Sequence, residues 1–397
     1  MSIPRRRSLI AAALAFAVAA PAAAQKNYAP GVTDTEIKIG QSLPYSGPAS
    51  AFGAIGRAEQ AFFKSINAAG GVNGRKITLI SVDDGYSPAK AVEQARRLVE
   101  EDKVAAIFNV LGTPLNIAIR KYLNTQKVPQ LFIAAGAAQF ADPVNFPWTM
   151  GWQPTLTSEA NFYAADLLRA KPGAKVAVLY QNDDFGKELL AGLKQGLGAK
   201  AASMIVVTQS YEATDPTVDS QVVAMQGSGA DTVFLFAYPK QAAQAIRRIY
   251  DLGWKPREYL HLGSASVTST MIPAGVEKGV GVLTAGFVKD VTDEKWANDP
   301  DFMAWRAWMK AWLPEGDLKD GLNAAGYSMG QMLVQVLKQC GDDLSRENIM
   351  RQAANLKNFR LPMLLPGILI TTSPTDYRVV KDMKLQRFNG KNWDLVD

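Results

Sequence analysis

Apolar positions along the chain fall into short continuous or alternating runs that give way, after Gly/Pro/Ser-rich connections, to longer stretches with three- and four-residue spacing. The run "EIKIGQSL" reads as a strand, "PYSGPAS" as a loop, and "AEQAFFKSINAAGG" as a helix closed by Gly70 and Gly71. "RKITLISVDDGYS" is the next strand and loop. "SPAKAVEQARRLVEED" then carries Pro88 in its first turn, where the missing N–H costs no helical hydrogen bond. "VAAIFNVLGTPLNIAIRKYLNTQ" and "VPQLFIAAGAAQFAD" extend the alternation. Strand, loop and helix repeated with short connections predict a parallel sheet covered on both faces.

The pattern starts afresh beyond "MGWQPT" at 150 to 155, with "YAADLLRAKPGAKVAVLYQNDDFGKELLAGLKQGLG", "AASMIVVTQSY", "ADTVFLFAYPKQAAQAIRRIYDLG" and "REYLHLGSAS". Two α/β lobes of similar construction are therefore expected. A third stretch, from "GVGVLTAGFV" through "DFMAWRAWMKAWL" to "GLNAAGYSMGQMLVQVLKQC", is expected to complete the first lobe. Open α/β sheets bind ligands where strand ends and helix starts converge. Between two facing lobes that crevice becomes a cleft, and a ligand held across it draws the lobes together.

The first residues predict the compartment. Arg5, Arg6 and Arg7 precede the apolar "SLIAAALAFAVAA", and "AAA" before Gln25 offers a small-residue cleavage site, so residues 1–24 read as a secretory signal peptide. The apolar run is shorter than the roughly 20 residues of a membrane span and Pro21 interrupts its end. "RRSLI" is compatible with Sec or twin-arginine export, and no Cys stands at the cleavage site to carry a lipid. The expected mature product is a periplasmic protein that does not span the membrane.

Composition narrows the chemistry. With 397 residues, 48% hydrophobic and 20% charged, the chain can bury the cores of two domains. Loss of the three leader arginines leaves 40 basic against 37 acidic side chains, too even a balance to point to nucleic acid. One cysteine, Cys340, allows no internal disulfide, and the single histidine, His261, rules out a His-rich zinc site. "YLHLGS" puts His261 at a strand end, where a packed histidine is the plainer expectation. "DDGYS" and the pair Asp183 and Asp184 read as loop caps. Without an H-E-x-x-H spacing or a Gly-x-Ser-x-Gly elbow, an enzyme is disfavoured, and no metal or cofactor is expected.

The junction Gly112–Thr113–Pro114, directly after "VAAIFNV", is the clearest candidate site. Thr113 is placed to cap the helix that Pro114 begins, and the unpaired N–H groups there favour an anion without any Arg or Lys. The cap alone would account for the residue types equally well. Gly136, Ala137 and Ala138 in "AAGAAQ" form a second candidate set of unshielded backbone amides. Phe52, Phe185, Tyr238 and Phe287 all fall just beyond strand-like runs, where flat rings bury much area at little entropic cost.

Taken in order, "IKIGQSLPYSGPASAFG", "INAAGGVNG", "DDGYSPAKAV", "VAAIFNVLGT", "LYQNDDFGKELL" and "DLGWKP" resemble the periplasmic leucine/isoleucine/valine-binding proteins of ABC transporters, a type I solute-binding family. The resemblance spans most of the chain. It implies two Rossmann-like lobes joined by a three-strand hinge around a central cleft, with residues 34–151 and 286–374 in lobe one and 152–285 and 375–397 in lobe two. It also implies a monomer that delivers a small molecule to ABC permease subunits. The family's carboxylate-binding hydroxyl falls on Thr113, its nearby backbone contacts on Gly136 to Ala138, and its aromatic cleft positions on Phe52, Phe185, Tyr238 and Phe287.

Departures from the family pattern bear on the ligand. Amino-acid binders of the family anchor the ligand's ammonium on an acidic residue, but "HLGSAS" offers only Gly263, Ser264 and Ser266 at the corresponding place. An unpaired buried ammonium is costly, so a carboxylate with an apolar or aromatic body and no amine is expected. Ser264, Ser266 or His261 would meet a ring hydroxyl, and Asp183, Asp184 or Asp290 are the acids left to supply a charge. The places of the family's lobe-one disulfide hold Tyr86 and Gly112. A binder of branched-chain or other amino acids, a binder of a short aliphatic acid, amide or urea-like solute, and a ligand sensor of the amidase-regulator type are the alternatives.

Overall fold

The computed structural model describes residues 26–396. The expected signal peptide at 1–24 lies outside the described residues. The chain runs β1 (Asn27–Tyr28), β2 (Glu36–Leu43), α1 (Gly53–Ala68), β3 (Lys76–Asp83), α2 (Pro88–Glu100), β4 (Ala106–Phe108), α3 (Thr113–Thr125), β5 (Gln130–Ile133) and β6 (Thr149–Gly151). It crosses into α4 (Leu156–Ala170), β7 (Val176–Gln181), α5 (Asp184–Leu197), α6 (Ala201–Met204), β8 (Ile205–Tyr211), α7 (Asp219–Gly227), β9 (Thr232–Phe236), α8 (Pro239–Asp251), β10 (Arg257–Leu260), α9 (Ile272–Ala274) and β11 (Leu283–Gly286). It then returns through α10 (Pro300–Trp312), α11 (Gly321–Cys340), β12 (Asp343–Leu344) and α12 (Arg346–Ala353), and ends in β13 (Lys384–Phe388) and β14 (Trp393–Leu395).

Two sheets organise these elements. One has five parallel strands in the order β3-β2-β4-β5-β6. The other has seven, β14-β13-β11-β10-β9-β7-β8, of which β13 alone runs antiparallel to the rest. "GVGVLTAGFV" was expected to belong with the first lobe, but β11 pairs with β10 and β13 in the second sheet. Its apolar run says that the strand is buried and nothing about which sheet buries it. Only the chain beyond β11 returns.

Local chemistry explains the helix starts. Ser87 accepts from Lys90 N ahead of Pro88, Thr155 from Ser158 N, Asp183 from Gly186 N, and Asp299 from Phe302 N ahead of Pro300. In both sheets the strand order reverses beside the first strand of its lobe, β2 between β3 and β4, and β7 between β8 and β9. These are the points where helix starts splay apart and leave room for a ligand. The chain passes between the sheets three times, after β6, after β11 and before β13. The passages are tied together by Val380 N donating to Trp152 O at 3.3 Å and Leu365 N donating to Phe287 O at 2.9 Å.

Candidate functional site

A cavity of about 150 Å³ lies between the C-terminal ends of the two sheets. Its wall contains Phe52 beyond β2, Thr113 beyond β4, Gly136 beyond β5, Phe185 beyond β7, Tyr238 beyond β9, His261 and Ser266 beyond β10, and Phe287 beyond β11. Parallel strands place these loops together although they are far apart in sequence.

The strand-to-helix junction differs from the expectation in an informative way. α3 begins at Thr113 itself, with Gly112 in the capping position at φ 96° and no side-chain cap hydrogen bond. Thr113 Oγ1 therefore caps nothing: it is buried, has no hydrogen-bond partner among the described residues, and belongs to a residue on the cavity wall. A buried hydroxyl without a partner costs on the order of 1–3 kcal/mol, which a ligand accepting from it would recover. The backbone N–H groups of the same first turn add positive potential. Gly112 is required twice over, because its φ disfavours any side chain and an added Cβ would stand 2.7 Å from the Tyr86 ring. Tyr86 and Gly112, at the two places of the family disulfide, are thus in contact as a packed aromatic–glycine pair.

Three of the predicted residues are not on the cavity wall. Ala138 N donates to Glu188 Oε1 at 2.8 Å, so that amide is spent on a contact between the lobes, and Ala137 is buried away from the cavity beside Phe140. Ser264 is buried, and its hydroxyl donates to Ala237 O at 2.7 Å. Gly136 does border the cavity, while its carbonyl accepts from Leu156 N. A Cβ on Gly136 would lie 2.5 Å from Pro154 O, so close packing at the crossing explains this glycine.

The aromatic residues form a connected row. Phe52 meets Tyr238 edge-on at 5.1 Å between centroids, Tyr238 lies 4.6 Å from Phe185, and Phe185 lies 4.7 Å from His261. Trp152, at the first crossing, meets Phe287 edge-on at 6.3 Å. Leu322, Ala325 and Met329 complete an apolar wall from one face of α11. Their three- and four-residue spacing was visible in the sequence but is that of any packed helix. Nothing in the sequence shows that this face meets the cavity.

The acids divide sharply. Asp183 caps α5 and Asp184 is exposed, and neither lines the cavity. Asp290 does line it, but Oδ1 accepts from Thr292 N and Oγ1 at 2.9 and 2.8 Å and Oδ2 accepts from Trp393 N at 2.7 Å. Burial raises the Asp290 carboxyl above its ordinary range. Sequence reasoning missed Glu159 on α4. It is fully buried, and its carboxylate takes Tyr163 Oη, Leu262 N and His261 Nδ1. An acid in the first turn of an apolar helix was the available signal.

Contacts across the cleft hold the lobes together around the cavity. Ser266 Oγ donates to Asp320 Oδ1 at 3.2 Å and Thr268 Oγ1 to Asp317 Oδ2 at 3.1 Å. Tyr86 Oη donates to Asp183 Oδ2 at 3.3 Å.

A two-sheet fold crossed three times, with a largely apolar cavity and a few convergent polar groups at the strand ends, defines a cleft-type small-molecule binding protein. Residues 36–392 match the family model described as periplasmic binding protein, and the chain belongs to that family. It is similar to Leu/Ile/Val-binding protein homolog 7 of Brucella abortus (strain 2308), 27% identical over 288 residues that cover 68% of each chain. It is also similar to a Pseudomonas aeruginosa protein described as an amino acid binding protein, 26% identical over 56% of this chain and 59% of that one. Among solved structures, a branched-chain amino acid ABC transporter protein from Thermus thermophilus with bound valine has a TM-score of 0.82 at 16% identity, covering 92% of this chain and 96% of that one. A fatty acid ABC transporter substrate-binding protein from Thermomonospora curvata has a TM-score of 0.79 at 23% identity, covering 94% of both chains. These likenesses establish a type I periplasmic binding protein fold of the Leu/Ile/Val-binding kind. The family implies an exported protein with a small-molecule ligand and ABC permease partners, and its members bind substrates rather than transform them. No described helix is long and apolar enough to cross a membrane.

Proposed function

We propose that this protein is the solute-binding component of an ABC uptake system for a small carboxylate without an amino group, with an aromatic acid as the best fit. The observation that carries the reading is the buried, unpartnered Thr113 hydroxyl on a cavity wall whose one carboxylate among the described residues, Asp290, already accepts three hydrogen bonds. The ligand's carboxylate accepts from Thr113 Oγ1 and the first N–H groups of α3, and Phe52, Phe185, Tyr238 and Phe287 cover its body. A cavity near 150 Å³ suits one ring, since an engineered apolar cavity of that size takes up benzene, and it is too small for a long acyl chain.

In this reading residues 34–151 with 286–374, and 152–285 with 375–397, move as two bodies about the three crossings, and the ligand-bound monomer docks on the permease. Residues 1–24 direct export by the Sec or twin-arginine route and are then removed. The names of the Brucella and Pseudomonas relatives favour a second reading, a branched-chain or other amino acid. A sensor role would use the same cleft.

Calorimetric titration of mature, ligand-stripped protein with benzoate, 4-hydroxybenzoate, 4-coumarate, leucine and an aliphatic acid separates these readings. Micromolar or tighter binding confined to the aromatic acids is expected. Tight leucine binding with none to the aromatic acids would overturn the proposal.

A further inference from the structure

Glu159 is fully buried and is not on the cavity wall, whereas His261, hydrogen-bonded to it, is. His261 Nδ1 lies 3.0 Å from both Glu159 oxygens, and Oε1 also accepts from Leu262 N at 2.8 Å and Tyr163 Oη at 3.0 Å. His261 is 3% exposed and Glu159 fully buried, so the carboxylate fixes the ring's orientation and the proton on Nδ1. That leaves Nε2. Among the described residues no protein group hydrogen-bonds to it, and His261 is part of the cavity wall. Gly263, also on the wall, keeps this nitrogen open, because a Cβ at that position would sit 2.6 Å from Nε2.

We infer that His261 Nε2 is the distal recognition group of the site and accepts from a hydroxyl at the end of the ligand opposite its carboxylate. The inference rests on the reading of the ligand as a carboxylate and adds the substrate class: an acid carrying a phenolic or other hydroxyl group. Glu159 is a positioning residue that acts through the imidazole. With the proton held on Nδ1 by the carboxylate, the ring presents the lone pair of Nε2 to the cavity. The row Tyr238, Phe185, His261 makes the histidine the terminal member of the aromatic wall, where the far edge of a flat ligand would end.

The test is the ratio of affinities for 4-hydroxybenzoate and benzoate, measured by calorimetry on the mature full chain, with leucine as a third probe. The wild-type protein is expected to prefer 4-hydroxybenzoate by about tenfold, as for one buried hydrogen bond. His261→Phe is expected to bring the ratio close to one while retaining benzoate binding. His261→Gln, whose amide oxygen can stand in for Nε2, is expected to restore part of the preference and keeps the test informative if the Phe variant folds poorly. Glu159→Gln is expected to lower the ratio without removing benzoate binding. Equal affinities in the wild-type protein, or a preference that survives His261→Phe, would overturn this inference and leave the carboxylate reading standing. Leucine binding without either acid, or no binding of any of the three, would overturn both.

Discussion

The Tyr86 hydroxyl crosses the cleft to donate to Asp183 Oδ2 at 3.3 Å, and it accepts from Gln181 Nε2 at 3.1 Å. Tyr86 leads into α2 beside the first sheet, while Asp183 caps α5 in the second, so the bond exists only while the lobes are together. Burial raises the Asp183 carboxyl above its ordinary range, which marks this as a desolvated contact. Tyr86→Phe keeps the ring against Gly112 and removes the hydroxyl. The expected result is a Kd raised roughly 5- to 30-fold, the equivalent of about 1–2 kcal/mol, with little change in ligand-free stability. Titration calorimetry with the cognate acid, alongside thermal melts without it, checks both halves.

Thr113 predicts opposite signs for stability and binding. Its hydroxyl is buried without a partner, so Thr113→Val, of nearly the same shape, is expected to leave the ligand-free protein as stable or more stable by up to about 1 kcal/mol. The same substitution removes the proposed carboxylate donor and is expected to weaken binding roughly 10-fold or more. Undiminished affinity in Thr113→Val would show that the α3 backbone amides hold the anion alone.

Gly112→Ala asks for a side chain at φ 96° and places its Cβ 2.7 Å from the Tyr86 ring. A loss of about 2–4 kcal/mol is expected from backbone strain and the displaced tyrosine together. Urea unfolding of the ligand-free variant measures it. Because the ring that must move carries the hydroxyl that meets Asp183, binding should weaken as well.

Asp84, buried at the end of β3 with Oδ2 unpaired, has its carboxyl pushed up from 3.8 to about 6 by burial. A carboxyl whose folded pKa is raised contributes most below the unfolded value, and its contribution is lost as pH rises through the folded one. Asp84→Asn should therefore match the wild-type protein near pH 4 and gain over it between pH 4 and 6. The gain should level off above that range at about 1–3 kcal/mol. Denaturation midpoints across that interval check the sign, and a gain that shrinks with rising pH would contradict it.

The sequence by itself determined the alternation that builds both sheets and the helix starts at Ser87, Thr155, Asp183 and Asp299. It also put Phe52, Thr113, Phe185, Tyr238, His261 and Phe287 just beyond strand ends. These features are local: periodicity, capping chemistry and strand termination each depend on a few neighbouring residues. The tertiary structure decided which neighbours share those ends. It placed β11 in the second sheet, spent the amide of Ala138 on Glu188, buried Ser264 against Ala237, and left Thr113 Oγ1 unpaired instead of capping α3. It also brought Glu159 beneath His261 across 102 residues of chain. Hydrogen-bond partners and cavity walls are set by distance in space, and no local pattern of residue types encodes which distant groups will be there to meet.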